Sequence, residues 1–115
     1  MNHKIYLILL LVTLFFSFKH LYESMKVEGN TIHLKFTHTA GGLIAKEGVL
    51  KQFAIAGADK KFVWANAKID GDTVIVSHPN ISSPTAVRYA WADNPEGCNF
   101  YNSAGFPALP FRTDK

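Results

Sequence analysis

The residues with reactive potential are few. The serines are Ser17, Ser24, Ser77, Ser82, Ser83 and Ser103, and the histidines number five. Ester or amide hydrolysis needs an activated nucleophile, a base in hydrogen-bond reach and an oxyanion hole. No serine here sits in a Gly-x-Ser-x-Gly elbow, and no Asp-x-x-His occurs. Ser77 and His78 are chain neighbours, the wrong geometry for a nucleophile and its base. His33 and His38 are five apart, an odd offset that puts them on opposite faces of a strand. Asp70-Gly71-Asp72 looks like the start of a calcium loop but lacks the later acidic positions. Cys98 is the one cysteine, which excludes an internal disulfide and a cysteine-based zinc site. No cofactor or metal is expected.

One stretch is nonetheless dense in aromatic and amide side chains: RYAWADNPEGCNFYN, Arg88 to Asn102. It contains no histidine, and Ser103 beyond it has no base next to it in the sequence. That composition fits contact rather than catalysis. Phe62 and Trp64 form a second aromatic pair. The net charge of +3 is scattered, with no basic run interleaved with aromatics, so nucleic acid is not an expected partner.

The elements that must position these residues read as β throughout. Thr31 to His38 alternates, with Ile32, Leu34 and Phe36 on one face. Glu28-Gly29-Asn30 and Asp70-Gly71-Asp72 carry the turn chemistry of hairpins. Strands are predicted over residues 50–56, 62–69, 73–77 and 85–92. Parity on the strand 85–92 puts Val87, Tyr89 and Trp91 in the core, with Arg88 between small alanines and within reach of Asp93. Parity on 62–69 puts Val63, Ala65, Ala67 and Ile69 inward and leaves Phe62 and Trp64 outside, as an interface or a binding platform; coverage on both sides is the alternative. Three prolines predict an irregular tail from Asn94 to Lys115. Short strands at regular spacing predict an all-β, small antiparallel, jelly-roll-like sandwich over residues 21–115.

Before it, a charged MNHK and the apolar run Ile5 to Phe18 have the pattern of a signal peptide or an uncleaved membrane anchor, a hydrophobic helix within residues 1–20. A spanning helix usually needs about 20 apolar residues. The leader implies export to the periplasm or the extracellular side, with membrane contact only through an uncleaved leader.

LYESMKVEGNTIHLKFTHT, FAIAGADKKFVWANAKI, RYAWADNP, NFYN and LPFRTD together resemble the C-terminal end of bacterial sialate O-acetylesterases, from about Leu21 to Asp114. Gly97 lengthens the NPE–CN junction relative to the family's pattern, and Phe100 stands where leucine is more usual. The resemblance implies an accessory β-domain that packs on an SGNH-type hydrolase domain, the part of such enzymes that removes O-acetyl esters from sialic acids. It supplies no position in this chain for the catalytic serine, aspartate or histidine. Three readings follow. The chain is a non-catalytic accessory domain or fragment. Or it is a stand-alone module for sialylated glycans, with Trp64 or Trp91 stacking on a sugar and Arg88 or Arg112 pairing with its carboxylate. Or it complements a separately encoded hydrolase domain. The residues expected at a ligand site or domain interface are Phe62, Trp64, Arg88, Asp93, Asn99, Tyr101 and Arg112.

Overall fold

The structure is a computed structural model that describes residues 21–37, 41–92 and 95–114. The leader within residues 1–20, His38 and Asp93 lie outside the described residues. Among the described residues there is no helix long and apolar enough to cross a membrane.

Ten strands form three antiparallel sheets among the described residues. The first sheet runs β1 (Leu21–Glu28), β2 (Thr31–Thr37), β7 (Thr73–Ser77), β6 (Asn66–Asp70). The second runs β10 (Phe111–Arg112), β8 (Ala86–Tyr89), β4 (Phe53–Ala56), β5 (Val63–Trp64). A small third sheet pairs β3 (Leu43–Ala45) with β9 (Phe100–Asn102).

Two hairpins share one local device. Glu28-Gly29-Asn30-Thr31 closes β1 on β2, and Asp70-Gly71-Asp72-Thr73 closes β6 on β7. Gly29 and Gly71, the first central residues, have φ of 61° and 64°. A positive φ at that position matches the twist of the flanking strands and favours glycine. Thr31 and Thr73 each donate their hydroxyl 2.8 Å to the carbonyl of the residue before the turn. Both turns are where the sequence predicts them.

The first and second sheets bury facing sides. Ile32, Leu34 and Phe36 from β2 and Val74 and Val76 from β7 meet Phe53 and Ile55 from β4, Val87 and Tyr89 from β8, and Phe111 from β10 in one core. The alternation of Thr31 to Thr37 is as predicted, with Ile32, Leu34 and Phe36 buried. Full burial of such side chains contributes about 1.5–3 kcal/mol each.

Three strand expectations need correcting. Residues 62–69 are not one strand. The chain leaves the second sheet after Trp64 and enters the first at Asn66, and Ala65 donates its N–H 2.9 Å to the Phe53 carbonyl. Residues 85–92 stop being a strand at Tyr89, because Ala90 turns to φ 52°. The strand expected from Leu50 begins only at Phe53, after Gln52 at φ 71°.

The described tail is irregular over most of its length, as predicted, but it does not stay on the surface: it contributes β9 and β10 and buries Phe100, Asn102 and Phe111. Asn102 is fully buried, and its Oδ1 accepts the N–H groups of Ala104 at 3.1 Å and Phe106 at 3.0 Å. Ala108 donates to the Phe100 carbonyl at 3.0 Å. This tight reversal carries Phe111 back into the core and puts Phe100 there with it. Prolines stop a ladder but do not stop a side-chain amide from replacing it. Phe100→Ala is expected to cost about 3–5 kcal/mol in urea unfolding, the loss typical of an emptied aromatic core site; a loss under about 1 kcal/mol would match an irregular surface tail instead.

Candidate functional site

The registers of the second sheet line up one row across its outer face. Arg112 pairs with Arg88, Arg88 with Ala54, and Ala54 with Trp64. Side chains directly opposite on neighbouring strands share a face. The inner neighbours of this row are Phe111, Tyr89, Val87, Phe53 and Ile55, all buried, so the row points outward. Ala54 is short, and the gap above it is a cavity of about 490 Å³ bordered by Phe62, Trp64, Arg88 and Trp91.

Trp64 is 67% exposed and Trp91 50% exposed. Strict alternation predicts Trp91 in the core, and the structure overturns that. Ala90 adopts a left-handed backbone, which breaks the two-residue period and swings the next side chain to the outer face. Ala90 donates its N–H 3.0 Å to the carbonyl of Gln52, itself left-handed. For residues other than glycine this conformation costs roughly 1–2 kcal/mol each. Two strained residues thus meet at the edge of the cavity, and their product is an indole held in water.

Arg88 lies with its guanidinium 3.9 Å above the Phe62 ring. Among the described residues its acid partner is Asp114; the expected partner, Asp93, lies outside them. Nε and Nη2 donate to the two carboxylate oxygens at 3.1 and 2.7 Å, a bidentate pair. Thr113 holds the same segment to β8: its N–H donates to the Val87 carbonyl, and its hydroxyl accepts the Val87 N–H, both at 3.0 Å. Arg112 stands 5.1 Å from the Trp91 ring centre.

The structure thus brings Phe62, Trp64, Arg88 and Arg112 together with Trp91, which the sequence names as an alternative stacking residue while its parity points to the core, and adds Gln52 and Asp114, which the sequence does not group with them. It separates Asn99 and Tyr101 from them. Asn99 is a buried loop pin: Nδ2 donates to the Lys46 and Val49 carbonyls, both at 2.8 Å, and Oδ1 accepts the Lys51 N–H at 3.0 Å. Tyr101 is half-buried under the Lys46 ammonium, 3.9 Å from its ring centre. Tyr89 is buried in the core, and burial pushes its hydroxyl well above the ordinary phenol pKa, with the neighbouring Cys98 adding to the shift. It stays neutral and structural.

The histidines of the described residues serve turns. His33 Nε2 lies 3.1 Å from the Thr31 hydroxyl and 3.0 Å from Glu28 Oε2. A hydroxyl, an imidazole and a carboxylate meet there, but through one ring nitrogen, whereas a catalytic relay uses both. The Thr31 hydroxyl also donates elsewhere, to the Glu28 carbonyl. His78 Nδ1 accepts the N–H of Asn80 at 3.0 Å. No group of three or more metal-ligating side chains occurs among the described residues.

Chemically, this outer face is an exposed cationic and aromatic surface on an all-β domain. No protein-family model and no curated protein matches the chain. Among solved structures, a carbohydrate acetylesterase from Xanthomonas citri is similar, with 38% identity and a TM-score of 0.80. The similarity covers 84% of this chain and 23% of that one, so the chain spans less than a quarter of the length of that enzyme. The chain is related to a part of a carbohydrate acetylesterase.

The Arg88 hydrogen bond holds the Asp114 carboxyl below the ordinary carboxylate range. Its folded pKa lies below the unfolded value, so the pair stabilises the fold above that unfolded value, and the contribution is lost as pH falls through the folded one. Thermal melts should lose more stability between about pH 5 and about pH 3 in the natural chain than in Asp114→Asn. Equal acid sensitivity would show that the pair contributes nothing.

Proposed function

We propose that residues 21–115 are a non-catalytic accessory β-domain of a sialate O-acetylesterase-like protein. Its work is to pack on and complete an SGNH-type hydrolase domain, in cis or in trans. The observation that carries this reading is the similarity to a carbohydrate acetylesterase over 84% of this chain but 23% of that enzyme. Sialate as the sugar rests on the sequence resemblance. The segments that carry it supply strands of all three sheets: LYESMKVEGNTIHLKFTHT contains β1 and β2, FAIAGADKKFVWANAKI β4, β5 and most of β6, NFYN β9, and LPFRTD β10. The same reading makes the fold a jelly-roll-like sandwich, and the leader before it directs export to the periplasm or the extracellular side. The non-catalytic role draws support from the histidine geometry, since His33 and His78 are both engaged in turn contacts.

Incubated with O-acetylated sialic acid, the purified chain is expected to release acetate at the rate of a buffer blank. Release well above that blank, abolished by a single substitution in this chain, would contradict the accessory role.

A further inference from the structure

The chain has two tryptophans, Trp64 and Trp91, and both border the same cavity. The row beside them carries an electrostatic imbalance. Arg88 and Arg112 are directly opposite on neighbouring strands, a like-charge pairing that is unfavourable. Asp114 neutralises Arg88. Among the described residues, no carboxylate lies within salt-bridge distance of Arg112. Among the described residues one positive charge is therefore left over, on an exposed side chain beside the Trp91 ring.

Gln52 and Arg88 are the polar members of the trough's lining, and the other lining residues are apolar or aromatic. Ala54, Phe62, Trp64 and Trp91 all line it. Aromatic faces of this kind take up the C–H face of a pyranose, while a guanidinium matches a carboxylate in shape and charge. Arg88 has its Nε and Nη2 committed to Asp114, so Arg112 is the arginine of this row available to an anion.

We propose that the trough between Trp64 and Trp91 binds an acidic sugar, a pyranose bearing one carboxylate, with Arg112 taking the carboxylate and the indoles its apolar face. The sugar class rests on the carbohydrate-esterase reading above; the single negative charge rests on the geometry. The left-handed turn at Ala90 is then the device that completes the site, because it brings the second indole to this face.

Tryptophan emission reports on this trough alone, because the chain holds no third indole. The full chain is titrated with N-acetylneuraminic acid, glucuronic acid and glucose. A saturable change is expected with the two acids at millimolar concentration or below, and none with glucose. Arg112→Gln and Trp64→Ala should each weaken binding at least about tenfold, a loss of roughly 1.4 kcal/mol. Lys68→Ala, on the first sheet, should leave it unchanged. A flat titration with both acids overturns the proposal, as does equal binding of glucose or full binding by Arg112→Gln. So does emission that responds to an added SGNH-type hydrolase domain and to no sugar, which would make the trough a seam between domains. Acetate release by the chain would sink the accessory-domain reading and leave this titration standing. A flat titration without acetate release sinks the sugar site alone.

Discussion

Five aromatic rings from five strands tie the three sheets into one body. Phe100 of β9 lies edge-on to Phe36 of β2 at 5.1 Å and to Tyr89 of β8 at 5.8 Å, and near Phe53 of β4 at 5.7 Å. Phe111 of β10 meets Phe36 at 5.6 Å and Tyr89 at 5.9 Å. Offset and edge-on rings at these separations contribute beyond their buried area. The strands of the second and third sheets are two to four residues long and have little ladder of their own. The shared ring cluster gives these two sheets a reason to stay attached.

That inward constraint dictates the outer face. With Tyr89, Phe53 and Phe111 committed to the core, Arg88, Ala54 and Arg112 have only the other side of the sheet. Trp64 joins them through its register with Ala54. Trp91 does so only because the backbone at Ala90 and Gln52 abandons the strand conformation. Strain of this kind persists where surrounding structure over-determines it, and it concentrates at sites of function. The two left-handed residues here are joined by a hydrogen bond at the rim of the cavity that both tryptophans border.

Much of this is legible in the residues. Alternation locates the core face of β2, glycine-centred turns locate both hairpins, and parity leaves Trp64 outside, although Val63, which the same parity turns inward, is exposed as well. What escapes is set by tertiary structure. Nothing in Tyr89-Ala90-Trp91 announces a left-handed alanine, because the residue usually chosen for that conformation is glycine or asparagine. The prolines of the tail read as an irregular coil, while Asn102 replaces the missing ladder from the side and returns Phe111 to the core. Asp114 lies 26 residues from Arg88, and only the pairing of β10 with β8 makes them neighbours. Asn99 and Tyr101 match the composition of a contact loop but are used for packing it.

The two sides of one small sheet thus differ in kind: the inner side builds a domain related to part of a carbohydrate acetylesterase, and the outer side exposes the row of Trp64, Arg88 and Arg112 with Trp91 beside it. The most direct test is a nitrogen–proton correlation spectrum of the chain with and without N-acetylneuraminic acid. Shifts confined to the Trp64 and Trp91 indole N–H groups, the Arg112 side chain and the backbone of β5, β8 and β10 are the predicted result. An unperturbed spectrum, or shifts centred on Thr31 and His33 or on Ser77 and His78, would contradict it.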